Sequence, residues 1–352
     1  MTLLQRTCAA VVPASRHAAQ QAQARMDNKT KPRGSLGRLE ELACRLASIY
    51  GTPDPALPDN AVVVMAADHG VTDEGVSAYP QEVTGQMVRN FAAGGAAINV
   101  LARLQQARVV VVDMGTKAHL EDLAGVRSYR LGPRTANFTR GPAMSREVAV
   151  RAVEFGIALA AELHETGVGL LAVGEMGIAN TTAASAITAA LLRMTPEQVT
   201  GRGTGVEDDR LRRKVWAVGQ ALAVNRPDPI DPLDVLAKVG GFEIAGLVGL
   251  ILGAAARKVP VILDGFITGT AALVAAGLCP AAGEYLIASH RSAEPGHAFI
   301  LRHLALQPLL ELDMRLGEGT GAALALNLVE ASLRVLREMA TFEAAGVTDA
   351  GA

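Results

Sequence analysis

Five short apolar runs, rich in β-branched residues, punctuate this chain: AVVVMAAD (61–68), ARVVVVDMG (107–115), GLLAVGEMG (169–177), VPVILDGF (259–266) and YLIASHRS (285–292). Each is near-continuous rather than alternating. A strand with one wet face alternates apolar and polar residues, whereas a strand apolar on both sides is one covered by helices on both sides, as in a parallel sheet. Helix-length segments separate the runs. REVAVRAVEFGIALAAELHETG (146–167), with Val148, Val150, Val153, Phe155, Ile157 and Leu159, is apolar around much of its circumference. Strand–helix alternation at this spacing predicts an α/β protein with a doubly wound parallel sheet.

The two ends read differently. SLGRLEELACRLASIY puts Leu36, Leu39, Leu42, Leu46 and Ile49 on one helical face, with Ser35 as the expected N-cap. Leu326, Val329, Leu333, Leu336 and Met339 repeat the pattern near the C-terminus. Paired, these helices make a small helical domain beside the sheet. The Pro-rich GTPDPALPDN (51–60) marks its boundary. The division expected is 1–55 and 320–352 for the helical domain and 56–319 for the sheet domain.

Bulk properties exclude several classes. A net charge of -2, with no basic block, argues against a nucleic-acid partner. The longest apolar run, Ile244 to Ala256, stops at Arg257 and Lys258, short of the ~20 residues that span a bilayer. The first twenty residues lack a charged n-region followed by an apolar core, so no signal peptide and a cytoplasmic setting are expected. Cys8, Cys44 and Cys279 are odd in number and far apart, unlike a disulfide framework or a thiolate metal cage.

Polar residues cluster where the apolar runs end: Asp68-His69-Gly70, Asp113, Gly174-Glu175, Asp264-Gly265 and Ser289-His290-Arg291-Ser292. Any one of these is an ordinary loop start. All five together point to a shared crevice, because ligands of open α/β sheets sit outside the strand ends. GEMGIANTTAAS (174–185) reads as strand, glycine turn and helix start, a natural anion site made of amides and hydroxyls. GRGTG (201–205) offers a second amide-rich loop, with Lys214 a few helical turns on. LDMRLGEGTGAALAL (312–326) looks similar, yet places Glu318 among its glycines, where a carboxylate would repel a phosphate. Buried at a strand end, Glu318 or Glu175 would instead gain pKa and become a competent general base. His69, His290 and His297 lie near Asp68 and Asp264, but no HxH or HExxH spacing brings two imidazoles to one ion. Histidines that fix loops are the simpler reading.

The blocks ADHGVTDEGVSAYPQEVTGQMVRNFAAGGAAINVLAR, GEMGIANTTAASAI, GRGTG, VPVILDGFITGTAAL, SHRSAEPGH and LDMRLGEGTGAALAL resemble, in the same order, those of the nicotinate-nucleotide–dimethylbenzimidazole phosphoribosyltransferases. The likeness runs from KPRGSLGRLEELA to the last helix, with one departure, Ala179 where glycine is common. It implies a Rossmann-like sheet with a small helical domain from both termini, and a homodimer. It implies transfer of phosphoribosyl from nicotinate mononucleotide to 5,6-dimethylbenzimidazole, giving α-ribazole 5'-phosphate and nicotinate in cobalamin lower-ligand assembly. Inversion at the anomeric carbon in one displacement needs no covalent intermediate, and a pyridinium leaving group needs neither cofactor nor metal.

The resemblance also implies roles. Glu318 is the base that takes the azole proton, and Glu175 steadies charge at the transferring centre. Gly177, Asn180, Thr181, Thr182, Gly203, Lys214, Asp264 and Ser292 are expected to hold phosphate and ribose. Ser77, Tyr79, Gln86, Met176, Met314 and Leu316 are expected around the benzimidazole. Two other classes compete: a metal-dependent phosphohydrolase working from Asp68, His69 and His290, and a non-catalytic azole or nucleotide carrier.

Overall fold

Among the described residues, six strands, all parallel, form one sheet in the order β3-β2-β1-β4-β5-β6. They are β1 Asp59–Ala67, β2 Arg108–Gly115, β3 Val126–Ser128, β4 Val168–Met176, β5 Val261–Leu263 and β6 Leu286–Ala288. The computed structural model describes residues 1–348 apart from Thr204 and Val206. All five apolar runs are strands of the expected doubly wound sheet. The sixth, β3, escapes the apolar pattern because its three residues, VRS, lie at the sheet edge and none is buried. The last two runs yield only three-residue strands, since Asp264 and Ser289 already leave the ladder.

Both faces of the sheet are dry. Along β1, Ala61, Val63, Met65 and Ala67 join one core cluster. Val62, Val64 and Ala66 join the other. Helices 146–165 and 242–255 cover the first face and touch through bare backbone. A β-carbon on Gly156 would lie 2.0 Å from the Gly246 carbonyl oxygen, and one on Gly249 would lie 1.8 Å from that of Val153. The long apolar run expected not to span a bilayer is this second helix, Phe242–Ala255, wholly buried. Among the described residues, no helix is long and apolar enough to cross a membrane.

Helix 320–338 serves two neighbours. Ala322, Ala323, Ala325 and Leu326 pack on the second sheet face, while Leu336 closes a separate cluster with Ala22, Met26, Ala43 and Ala47 from the N-terminal helices. The 38–50 helix begins later than its sequence suggests. Gly37, not Ser35, is its N-cap, because residues 33–37 form turns. The buried Glu40 carboxylate accepts from the Leu36 amide and pairs with Lys31 at 2.8 Å, which fixes that turn.

The chain order places the site. It builds outward from β1 through β2 to β3, then returns to β4 on the other side of β1 and continues to β6. Strand order therefore reverses between β1 and β4, and their C-terminal ends diverge into a crevice. Pairing of Met65 with Glu175 and of Ala66 with Met176 sets Glu175 at the lip.

Candidate active site

Two buried carboxylates meet at this lip through two glycines. A β-carbon on Gly174 would lie 2.2 Å from the Gly319 nitrogen and 2.3 Å from the Glu318 carbonyl carbon, so only glycine lets the 317–319 loop lie against β4. A β-carbon on Gly317 would lie 2.6 Å from Glu175 Oε1. The loop turns through three consecutive left-handed residues, Gly317 (φ +89°), Glu318 (φ +64°) and Gly319 (φ +88°). A non-glycine residue in this region costs about 1–2 kcal/mol, which makes Glu318 a residue held against its backbone preference.

Asp264, at the end of β5, supplies the restraint. Its Oδ2 accepts from the Gly319 amide (3.1 Å), and its Oδ1 accepts from Gly321 (2.7 Å) and Ala322 (3.3 Å). Asp264 thus caps helix 320–338 and pins the loop that carries Glu318. Both its oxygens are engaged, so the ribose contact expected of it competes with helix amides. Burial pushes its carboxyl up to about 7, opposed by those amides.

Burial also raises the Glu318 carboxyl above the usual range, with a hydrogen bond from the Ile98 amide opposing. Glu318 is 5% exposed, and its Oε2 has no partner among the described residues. Glu175 is pushed up further, first by burial, then by the charges of Asp264 and Glu243. Asn180 Nδ2 donates to Glu175 Oε2 and holds it.

The nucleotide side is built on the 177–182 turn and the 201–203 loop. Ala179 opens helix 180–192 at φ +77°, a left-handed position that explains the glycine expected there. The Ile178 amide donates to Thr84 Oγ1 at 3.1 Å, tying the turn to helix 82–92. Lys214 is 1% exposed, and its Nζ donates to Thr181 Oγ1 (3.0 Å) and the Gly201 carbonyl (2.9 Å). Burial lowers this ammonium to about 8, with the Glu294 charge opposing. The Gly203 amide donates to Glu294 Oε1 at 2.7 Å, so an internal carboxylate occupies a donor assigned above to phosphate. Thr204 of the same loop lies outside the described residues.

A single cleft is bordered by Glu175, Met176, Gly177, Asn180, Thr181, Gly203, Asp264, Ser292 and Leu316, nine of the residues expected at the site. Neither Glu318 nor Lys214 borders it: Glu318 follows Gly317 of its wall in sequence and its carboxylate takes the Ile98 amide, while Lys214 reaches Thr181. Thr182 is wholly buried and does not border the cleft. Ser77, Tyr79, Gln86 and Met314 are not brought to it either. Ser77 Oγ accepts from the Tyr79 amide, Tyr79 is half exposed, and Gln86 borders a neighbouring cavity with Asp68, Arg89 and Lys117. Glu294 and Arg315 border the cleft and were missed, although both fall inside blocks quoted above. The glutamate before Pro295, at the start of helix 295–303, was the available signal.

The three histidines have protein partners. His69 Nε2 lies 2.6 Å from Glu243 Oε1, with both side chains fully buried. His297 Nδ1 accepts from the Ser292 amide at 3.1 Å, and burial holds its ring neutral with a value of about 3. His290 bonds Ser289 Oγ at 3.1 Å, and burial lowers it too.

Comparison with known proteins agrees with this architecture. A family model described as phosphoribosyltransferase matches residues 11–347. The chain is 57% identical over 349 residues to the nicotinate-nucleotide–dimethylbenzimidazole phosphoribosyltransferase of Chloroflexus aurantiacus, covering 99% of each chain. It is 55% identical over 347 residues to that of Geobacter metallireducens, covering 99% of this chain and 98% of the other. The crystal structure of the Thermus thermophilus protein of the same name superposes with a TM-score of 0.90 at 48% identity, covering 95% of this chain and 99% of that one. By sequence and by fold, this chain belongs to the nicotinate-nucleotide–dimethylbenzimidazole phosphoribosyltransferase family.

Proposed function

We propose that the enzyme transfers the phosphoribosyl group of nicotinate mononucleotide to 5,6-dimethylbenzimidazole, in assembly of the lower ligand of cobalamin. The observation that carries this reading is the pair of buried carboxylates, Glu175 and Glu318, joined through Gly174 and Gly317 at the switch point of the sheet. A phosphate-cleaving site would gather cations there, whereas two carboxylates suit positive charge on rings and sugar.

In the reaction, a benzimidazole nitrogen forms a bond to C1' from the face opposite the pyridinium. The C1'–N bond breaks and its electron pair returns to the nicotinate ring nitrogen. The proton on the other azole nitrogen passes to Glu318, whose raised pKa makes it a stronger base than an exposed glutamate. Glu175, held by Asn180, ionises more readily as the pyridinium and then the sugar centre bring positive charge beside it. Inversion makes the product the α-anomer. The phosphate is assigned to the 177–182 turn, Thr181 and Lys214, with Glu294 releasing the Gly203 amide. Met176 and Leu316 flank the benzimidazole, and Ser77, Tyr79, Gln86 and Met314 require the 77–86 and 314–316 segments to close on it. A homodimer and a cytoplasmic setting belong to the same proposal.

The test is incubation of the purified protein with both substrates and EDTA, followed by chromatography and NMR of the anomeric carbon. Equal amounts of nicotinate and α-ribazole phosphate are expected. Chelator-sensitive release of phosphate would mean a phosphohydrolase instead, and tight binding without products would mean a carrier.

A pH effect follows from Lys214. Its ammonium, lowered to about 8, loses its charge as pH rises through that value, well below the 10.5 of a free lysine. kcat/KM for the nucleotide should therefore fall above about pH 8, while kcat at saturation changes less. Lys214→Arg, whose charge persists, should flatten that limb. An unchanged alkaline limb in the arginine variant would remove Lys214 from nucleotide binding.

A further inference from the structure

We propose that Arg315 recognises the ring carboxylate of the nicotinate group, and so makes the enzyme prefer the acid nucleotide over its amide. The inference rests on the reaction proposed above and names a specificity residue for it.

The substrate carries a phosphate, a ring-nitrogen cation and a ring carboxylate. The phosphate has donors on the Thr181–Lys214 side, and the ring cation has Glu175. The carboxylate needs a cation of its own, because the cleft wall otherwise opposes it with Glu175, Asp264 and Glu294. Lys214 is committed to Thr181 and Gly201. His290 and His297 are both held away from their charged forms by burial. Among the described residues, Arg315 is the one permanent cation bordering the cleft.

Its neighbours show what is unusual about it. Arg291 pairs with Glu311, and Arg202 with Asp208. Arg315 has no ion pair and no side-chain hydrogen bond among the described residues. Its backbone is nevertheless fixed, with the Met314 carbonyl accepting from the Ala293 amide at 3.3 Å on one side and the pinned 317–319 loop on the other. A guanidinium presents paired donors matched to a carboxylate. An amide in place of the carboxylate gives up the ionic part of that contact. The preference thus comes from charge rather than shape.

The experiment measures kcat/KM for nicotinate mononucleotide and nicotinamide mononucleotide, with dimethylbenzimidazole saturating, for wild type, Arg315→Met and Arg315→Lys. Loss of a charge-assisted contact at an exposed site should lower the acid value by roughly tenfold in the methionine variant. The amide value should stay nearly constant, which also serves as the folding control, and lysine should restore part of the preference. An equal loss on both nucleotides would assign Arg315 to the phosphate or to the loop and overturn the proposal, as would an intact preference. A wild-type protein that releases neither nicotinate from the acid nucleotide nor nicotinamide from the amide would defeat the parent reaction, and this assignment with it.

Discussion

Glu318→Gln should lower kcat by roughly 10²–10⁴-fold, the usual worth of a positioned general base, while nucleotide affinity stays close to wild type. The proton it removes lies on the benzimidazole, so the loss belongs to the transfer step rather than to nucleotide binding. The wild-type rate should rise with pH through the carboxyl's raised value, since only the carboxylate accepts a proton. The variant should lose that acid limb. Stability runs the opposite way. A carboxyl whose folded pKa is raised contributes stability that is full below its unfolded value and lost as pH rises through its folded value. Glutamine mimics the protonated form, so the variant should be at least as stable as wild type at neutral pH. Denaturant titration alongside steady-state kinetics separates the two effects. A variant with near-wild-type kcat would remove Glu318 from the chemistry, and one less stable than wild type would contradict the sign given to its burial.

Gly174→Ala tests how that base is placed. The added carbon would meet three backbone atoms of the opposing loop, at 2.2 Å (Gly319 N), 2.3 Å (Glu318 C) and 2.5 Å (Glu318 O). No side chain can swing away to relieve this. β4 is hydrogen-bonded on both sides, to β1 and β5, so the loop must move. Moving it strains the Asp264 contacts to Gly319, Gly321 and Ala322. Overpacking of this kind costs about 1–3 kcal/mol, and displacing a catalytic group by an ångström costs on the order of 10²-fold in rate. Gly169, at the other end of the same strand, is the control. A β-carbon there meets Pro58 Cβ at 2.9 Å, a clash far from the lip. Gly169→Ala should lose stability and keep kcat, whereas Gly174→Ala should lose both. Equal kcat in the two variants would contradict the role given to the loop.

The fold was legible because buried parallel strands need continuous apolar runs, and five of six strands carry one. β3 lay outside that signal because an exposed edge strand of three residues needs no apolar face. For the two glutamates the sequence showed flanking glycines, a pattern that a solvated loop shares, and their burial is what the structure adds. Their neighbours were harder to read. Asp264 sits at a strand end like a ligand contact, but its oxygens answer to helix amides more than 50 residues away in sequence. Glu294 was hidden because its partner, the Gly203 amide, is 91 residues away in sequence. A donor looks free in a sequence until the acceptor that reaches it is located. The benzimidazole wall is the least legible part. Ser77, Tyr79 and Gln86 lie on one segment and Met314 on another, and nothing in their spacing states whether those segments close on a ligand.

The most direct measurement is a crystal structure of the protein with 5,6-dimethylbenzimidazole and nicotinate mononucleotide bound to the Glu318→Gln variant. The residue 318 side chain should stand within hydrogen-bond distance, roughly 2.6–3.2 Å, of an azole nitrogen. The phosphate should lie on the Thr181–Lys214 side of the cleft, away from residue 318. A phosphate seated in the 317–319 loop, or a benzimidazole bound out of reach of residue 318, would contradict the account.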